Sequence, residues 1–332
     1  MIASIAFVSV QLNAVNTDKN GFNRIWINNA VIKIKEINGD QLFRISGVNG
    51  ETLYFSKRNS TQISVYDTSL NYIMPIIMDF DSIAFKLSQS RAVVRYPYAY
   101  ILAINAPAIL RMNLVTREKD VFYLKRGFSK GMPVSEHTVV IRGFDSSYSN
   151  MILSKHNLIS GSIVEETGIM KRMNDGGFSS DGMILFDQER FSIIYVHYYC
   201  NRILLIDTNL NLVHKATTID TFSSFRAKGS RRPADDIRTS YSFASPPVHV
   251  NYNASASAGR ILINSAVKAD NENIADFNSN AVFDIYSTES GKYLGSFYIP
   301  KKGVKRFTDF EVYNDLLIVL NNSKILLYRL KL

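Results

Sequence analysis

An all-β fold built from repeated four-stranded units is what this sequence predicts, and three observations support it. The segment 63–71 returns at 203–211, with the same Asp-Thr turn after an alternating strand. Weaker copies lie at 109–116, 151–158, 282–288 and 325–330. Most copies are spaced by about 40–50 residues, which is typical of one blade of a β-propeller. No window of a dozen residues keeps the periodicity of an amphipathic helix.

The composition is that of an ordinary globular chain, because 46% of the 332 residues are hydrophobic and 20% are charged. Tyrosine and phenylalanine are abundant, with 18 and 20 copies, as expected where side chains pack on pleated sheets. The 38 basic and 29 acidic residues give a net charge of +9, much of it scattered singly. No nucleic-acid recognition motif accompanies this charge, so we do not expect a nucleic acid as partner.

Short strand signals separated by Gly, Asn, Asp and Ser turns fill the chain and divide into six blades. Blades 3 and 6 each lack one strand in this division, and the innermost strand of blade 3 is poorly defined. The predicted strands are 41–46, 51–57, 62–68 and 72–78 in blade 1; 92–95, 98–105, 109–114 and 119–125 in blade 2; 138–144, 151–155 and 162–166 in blade 3; 183–187, 192–199, 202–207 and 212–219 in blade 4; 248–253, 260–267, 281–286 and 293–299 in blade 5; and 307–313, 316–320 and 324–330 in blade 6.

The strand missing from blade 6 is predicted to come from the N-terminal side. Residues 24–35 are rich in strand formers and precede the first blade. An open edge on blade 6 would expose unpaired backbone groups, so this segment is expected to add the outer strand and close the ring. Residues 24–332 are therefore expected to form one propeller domain.

Residues 1–23 are interpreted as a separate N-terminal segment, either the remnant of an export signal or a first strand. The segment is apolar but lacks the basic start of a signal peptide. It is also too short and too polar to cross a bilayer, and no later segment has the roughly 18 apolar residues that a membrane helix needs. We therefore expect no transmembrane segment in the body of the protein.

One interval in the repeat, from Asp207 to Ser287, is nearly two periods long. It would accommodate a seventh blade, but the composition of residues 225–247 favours an inserted loop. Arginines, glycine, prolines and aspartates are concentrated there, which is typical of an exposed loop rather than a strand pair. Six blades are therefore predicted, with seven as the alternative.

The pattern resembles the six-bladed TolB-like or NHL-like propellers of Bacteroidetes, many of them lipoproteins or exported proteins of unassigned function. The resemblance is carried by the turns at 66–68 and 206–208 and by the terminal blade at 307–328. It covers residues 24–332 and is architectural. The resemblance implies an exported, periplasmic or cell-envelope-associated protein, although no lipobox cysteine lies near the start. A propeller carries many functions, so the resemblance alone assigns none.

Catalytic and metal motifs fail their structural requirements. Residues 127–131 match the G-x-S-x-G string of a nucleophile elbow, but no helix is predicted after it. The five histidines show no metal-binding spacing, and Cys200 is the one cysteine. The oxygen-rich segment 173–182 lacks the spaced acids of a calcium loop and is predicted to be a turn between blades. We predict no catalytic residue, no metal ligand and no cofactor.

The inserted loop is the one concentrated cationic feature of the sequence. It can be interpreted either as a solvated loop without a binding role or as a binding surface. Arginine forks suit carboxylates and phosphates, so the functional interpretation is contact with an anionic or protein partner. A tyrosine cluster leads into the turn before strand 202–207 of blade 4. Its alternative role is packing within or between blades. The candidate binding residues are Arg226, Lys228, Arg231, Arg232, Arg238, Tyr198 and Tyr199.

The leading functional hypothesis is a monomeric, non-enzymatic binding or scaffold propeller that contacts a protein or extracellular polymer through one ring face. The alternative is a metal-dependent hydrolase or lyase with its site at the mouth of the central channel. Three or more Asp, Glu, Asn or His side chains converging on the axis would favour the enzyme. A channel without such a cluster would favour binding.

Overall fold

The computed structural model describes residues 19–39, 41–58, 61–80, 89–104, 106–173, 175–226, 247–322 and 324–332, and the backbone of 229–233 and 239–243. Six four-stranded antiparallel sheets form a ring, as the sequence predicts. In blades 1 to 5 the first strand lies innermost and the chain proceeds outward strand by strand, whereas the outermost strand of blade 6 comes from the N-terminal side. The fold is a six-bladed β-propeller with almost no helix.

Blades 1 to 3 follow one another along the chain without interruption of this order. Their strands, from the innermost outward, are β2 (Arg44–Asn49), β3 (Thr52–Ser56), β4 (Gln62–Asp67) and β5 (Tyr72–Ile77); β6 (Ser90–Arg95), β7 (Tyr98–Ala103), β8 (Ala108–Asn113) and β9 (Lys119–Tyr123); and β10 (Phe128–Ser135), β11 (Thr138–Phe144), β12 (Met151–Asn157) and β13 (Ile163–Glu165).

Blades 4 to 6 complete the ring, and a two-stranded hairpin and one short helix stand outside the blade pattern. The blade strands are β14 (Gly182–Asp187), β15 (Ser192–His197), β16 (Arg202–Asp207) and β17 (Leu212–Thr217); β20 (Asn251–Ser257), β21 (Arg260–Ser265), β22 (Asn280–Ser287) and β23 (Tyr293–Pro300); and β24 (Asp309–Tyr313), β25 (Leu316–Asn321), β26 (Lys324–Leu330) and β1 (Val31–Asn38). The hairpin is β18 (Gly229–Pro233) with β19 (Thr239–Phe243), and the helix is α1 (Ile274–Ser279).

The N-terminal strand closes the ring, as predicted. Strand β1 pairs antiparallel with β26, from Val31 opposite Leu330 to Asn38 opposite Lys324. The pairing removes the free edge of blade 6. The paired strand begins at Val31 rather than at residue 24. Before it, residues 22–25 have no strand pairing, and Trp26 makes one isolated bridge to Ser296 on blade 5.

A buried charge cluster holds this N-terminal segment against blade 5. The Arg24 guanidinium donates from Nε to Asp284 Oδ1 (2.8 Å) and also pairs with Glu272. The side chains of Arg24 and Glu272 are fully buried, and that of Asp284 is 3% exposed. Despite its burial, the pKa of Arg24 is raised by the Asp284 and Glu272 carboxylates. Blade 5 thus fixes the chain just before it enters blade 6.

The core is divided among the junctions between blades. Six apolar clusters each join two neighbouring blades in the described part of the chain. The junction of blades 5 and 6, for example, stacks Phe283 on Phe297 and sets Phe310 edge-on against Phe283. Burying each such side chain contributes about 1.5–3 kcal/mol, so the ring is stabilised all the way round.

The recurring sequence unit is the third strand of each blade and the turn that follows it. In blades 1 to 5 the last residue of that strand uses its side chain to accept hydrogen bonds from the turn. Asn113 Oδ1 accepts from Val115 and Thr116, and Ser287 Oγ accepts from Glu289 and Ser290. In blade 3 Asn157 has this role, because its Oδ1 accepts from the backbone of Ile159 and Ser160.

Two further sequence predictions are corrected. The innermost strand of blade 3 is β10, which contains most of the G-x-S-x-G string, so that string is part of a strand and not a Gly/Ser loop. The insertion is present between blades 4 and 5, but it contains the hairpin of β18 and β19 rather than only a loop. The concentration of arginine, glycine and proline in this segment favoured a loop over a strand pair when only the sequence was considered. In the described residues, no helix has the length and apolarity to cross a membrane.

Candidate functional site

One mouth of the central channel collects the features that bear on function. The innermost strands begin at this mouth, so it receives every connection between blades, including the insertion between β17 and β20. We call it the strand-start mouth. Connections from the third to the fourth strand of each blade lie at the opposite mouth.

A cavity of about 600 Å³ opens at the strand-start mouth and runs into the channel. Basic side chains outnumber acidic ones in its lining. Acidic lining is limited, among the described residues, to Asp309 and Glu311 on β24. The basic residues that line it are Arg44, Lys57, Arg58, Arg91, Arg95 and Lys130.

The floor of this cavity is a waist that it shares with a second, smaller cavity from the opposite mouth. Both cavities are lined by Arg91, Arg95, Met132, Phe186 and Glu311. The waist therefore places two guanidinium groups and one carboxyl group deep in the channel. Burial lowers the pKa of Arg91 and of Arg95, as expected for cations removed from water.

The Arg95 side chain is incompletely satisfied at the waist. Its Nη2 reaches the Met132 sulfur at 3.5 Å, and its guanidinium lies 5.8 Å from the centre of the Phe186 ring. Its Nε is buried without a hydrogen-bond partner among the described residues. A buried donor that lacks a partner costs about 1–3 kcal/mol, and more when it is charged.

Glu311 is the acidic side chain that lines the waist together with these arginines. Burial raises the pKa of Glu311 to about 7, against the opposing effect of Arg95 and Arg91, while Asp309 raises it further. No ion pair joins Glu311 to either arginine in the part of the chain that the structure describes. Near neutral pH this carboxyl is therefore only partly ionised.

The other acids near the cavity are already engaged. Asp309 accepts from the backbone of Ile45 (3.0 Å) and from Asn253 Nδ2 (2.7 Å). Asp181 pairs with Lys130 and lies 3.4 Å from Arg142 Nη1. Although burial opposes it, these two cations lower the pKa of Asp181.

An aromatic cluster joins the rim of the cavity to the base of the insertion. Tyr199 contacts Phe225 before the hairpin (5.6 Å between ring centres) and His249 after it (5.0 Å). His249 in turn lies 5.7 Å from Tyr252. Tyr199 is 9% exposed, so it anchors both stems of the insertion and offers little surface to a ligand.

Tyr198 and the nearby cations face the mouth itself. Tyr198 lines the cavity, and Lys130 lies 5.1 Å from its ring centre. Burial raises the pKa of Tyr198 to about 12. Arg58 stacks on Phe43 at 4.1 Å, and an adjoining depression of about 680 Å³ is lined by both. Arg306 borders the same depression.

The remaining predicted binding residues belong to the insertion. Arg226 is exposed, and its guanidinium lies 4.3 Å from the Phe222 ring centre. The backbones of Arg231 and Arg232 lie in β18, opposite Tyr241 and Ser240 of β19. Lys228 and Arg238 lie outside the described residues.

Sequence reasoning missed the cavity cations altogether. Arg44, Arg91 and Lys130 are far apart in the chain, and each was counted as scattered surface charge. The available signal was positional, because each stands near the start of the innermost strand of its blade.

No metal site emerges from the described residues. They contain no group of three or more His, Cys, Asp or Glu side chains that could hold a metal ion. In the segment 173–182, Asp175 accepts from the backbone of Gly177 and Ser179, as a turn residue does. The arrangement at the mouth is suited to binding anions by hydrogen bonds and charge.

The comparisons with known proteins support the fold. No family model matches the sequence, and no curated protein matches it. Among solved structures, a member of the DUF4221 family from Bacteroides vulgatus is 11% identical with a TM-score of 0.55, covering 92% of this chain and 99% of its own. Virginiamycin B lyase from Staphylococcus aureus is 9% identical with a TM-score of 0.52, covering 89% and 98%. At such identities the likeness shows the propeller fold and no more.

Proposed function

We propose that this protein is a non-enzymatic binding propeller that takes an acidic protein or extracellular polymer on its strand-start mouth. The observation that carries the proposal is the excess of cations around one mouth of the ring. Long basic side chains there lie beside aromatic rings, an arrangement that favours polyanions with carboxylate or phosphate groups. The insertion adds Arg226 and the arginines of β18 to the same side of the ring.

The alternative, a metal-dependent hydrolase or lyase, has no observation in its favour. The described residues contain no group of three or more His, Cys, Asp or Glu side chains that could hold a metal ion, and four arginines line the main cavity. The likeness to a lyase is one of fold. Guanidinium groups bind anions by charge and by paired hydrogen bonds.

We also propose that residues 24–332 form one domain related to the TolB-like and NHL-like propellers of Bacteroidetes. We propose that the protein is exported or associated with the cell envelope. The fold is compatible with them, and a structural neighbour comes from Bacteroides vulgatus. We propose that the protein acts as a monomer.

The test measures binding to two acidic polymers, poly-L-glutamate and polygalacturonate, with neutral dextran as the comparison. We expect at least one acidic polymer to bind and dextran not to bind. The affinity should fall as salt rises, because exposed charges are screened within about 8–10 Å at physiological ionic strength.

Paired charge reversals locate the binding surface. Arg231→Glu with Arg232→Glu tests the insertion, and Arg58→Glu with Arg306→Glu tests the described rim. Both pairs should weaken binding by more than tenfold, about 1.4 kcal/mol. A matched control reverses Arg117 and Lys292, which are exposed in turns at the opposite mouth.

Thermal melting of each variant confirms that it is folded. Equal weakening by the control pair would show non-specific charge attraction. Unchanged binding by both mouth pairs, or no binding of either acidic polymer, would reject the proposal.

A further inference from the structure

We infer that the waist of the channel is a binding site for a small organic carboxylate. The carboxylate group would lie between the guanidinium groups of Arg91 and Arg95, and the apolar body would contact Met132, Met183 and Phe186. This site lies inside the channel, below the surface that the proposed function uses for a polymer. The inference goes beyond that function and does not depend on it.

The first argument is that neither waist arginine bonds directly to a carboxylate among the described residues, and that Glu311 attracts both only at longer range. Arg91 makes no hydrogen bond and no ion pair with the residues that the structure describes. Arg95 uses one nitrogen on a sulfur and leaves its buried Nε without a partner. Charges removed from water are normally paired, because an unpaired one costs several kcal/mol.

The second argument is that the protein's own acids do not bond to these arginines. Asp309 accepts from the backbone of Ile45 and from Asn253, and Asp181 is paired with Lys130. Glu311 is at the waist, but it approaches neither arginine as an ion pair and ionises only near pH 7. An anion from outside would complete the site.

The third argument is the shape and chemistry of the cavity. Its volume of about 600 Å³ lies within the range of small-molecule pockets. Apolar side chains form part of its wall, beside the basic ones. They include Met132 and Phe186 at the waist and Leu102, Ile104, Met183 and Leu185 elsewhere in the cavity. A planar guanidinium matches a planar carboxylate, so the ligand has a carboxylate at one end and a hydrocarbon body at the other.

The test uses three carboxylates and their neutral amides as probes: phenylacetate, hexanoate and indole-3-acetate, each against its carboxamide. Isothermal titration calorimetry on the full chain measures affinity. We expect at least one carboxylate to bind and its amide to bind at least tenfold more weakly. Sodium sulfate serves as the inorganic anion, and it should bind more weakly than the best carboxylate because it lacks an apolar body.

Two variants test the guanidinium groups, Arg91→Gln and Arg95→Met. Each should weaken carboxylate binding more than tenfold. Arg95→Met should also raise the melting temperature of the ligand-free protein, because it replaces an unsatisfied buried charge with an apolar side chain. A purely structural arginine would give the opposite shift. Arg329→Gln is the control, since that side chain is exposed on β26.

Four outcomes overturn the inference, and the first three concern the carboxylates and the variants. They are no binding of any of the three carboxylates, equal affinity for a carboxylate and its amide, or full affinity in both waist variants. Sulfate binding at least as tightly as every carboxylate also rejects it, because the apolar wall would then contribute nothing. Failure of the polymer experiment with success here would remove the proposed function alone.

Discussion

Replacing Glu311 by glutamine should change how the stability of this protein depends on pH. Burial raises the pKa of this carboxyl from 4.5 to about 7 in the folded protein. Between these values the folded chain holds a proton on Glu311 that the unfolded chain has released. The contribution of this group to stability is therefore complete below about pH 4.5 and is lost as the pH rises to about 7.

The size of the effect follows from the displacement of the pKa. One pKa unit corresponds to 1.36 kcal/mol, so the loss amounts to about 3 kcal/mol over the whole interval. Glutamine keeps the shape of the side chain and cannot ionise. Relative to wild type, Glu311→Gln should thus gain roughly 2–3 kcal/mol of stability between about pH 5 and pH 8.

Urea denaturation of both proteins at the two pH values measures this difference. Glu51→Gln, at an exposed turn, is the matched control and should show no pH-dependent difference from wild type. If the stabilities of wild type and Glu311→Gln change in parallel from one pH to the other, the waist does not hold Glu311 as a neutral acid. The charge argument for the carboxylate site would then lose one of its supports.

Three other perturbations test the fold. Deleting residues 1–35 removes much of β1 and the segment held by blade 5, so the truncated chain should aggregate or melt at a much lower temperature. A monomer with an unchanged melting temperature would contradict closure of the ring by the N-terminal strand. Arg24→Met leaves two buried carboxylates unpaired and should cost about 3–5 kcal/mol in urea denaturation, whereas a loss under about 1 kcal/mol would mean that the cluster contributes little. Asp207→Ala removes the acceptor of the Asn209 and Asn211 backbone N–H groups and should lower the free energy of unfolding by about 1–2 kcal/mol. Asp67→Ala should likewise lower the melting temperature. Neither variant should change binding.

The propeller was predictable because its strongest sequence signal is local. In blades 1 to 5 the third strand ends in a residue that binds its own turn, and Asp67 and Asp207 show this most clearly. A local hydrogen-bonding requirement leaves a visible repeat in the sequence. Ring closure was predictable for a related reason, since a missing strand in the last blade requires a strand from elsewhere.

The innermost strand of blade 3 was not predictable from its residues. Gly127, Gly131 and Pro133 interrupt the strand pattern in this region. The strand nevertheless forms, because an innermost strand pairs on one edge only and its other edge faces the channel. A proline that cannot donate is tolerated at such an edge.

The candidate site was not predictable because its residues meet only in three dimensions. Arg44, Arg91, Arg95 and Lys130 come from three blades, and nothing in their local sequence marks them. Sequence reasoning selected the concentrated charge of the insertion instead. The structure brings Tyr198 from that prediction to the cavity and gives Tyr199 an anchoring position at the base of the insertion.

Hydrogen exchange with and without poly-L-glutamate tests the central claim most directly, since it reports which mouth of the ring carries the partner. The account predicts protection in the connections at the strand-start mouth, around Tyr198, Tyr252 and Arg306, with the turns after Asp67, Asn113 and Ser287 unchanged. Protection should fade as salt is raised. Protection confined to the opposite mouth, or spread evenly over both, would contradict the account.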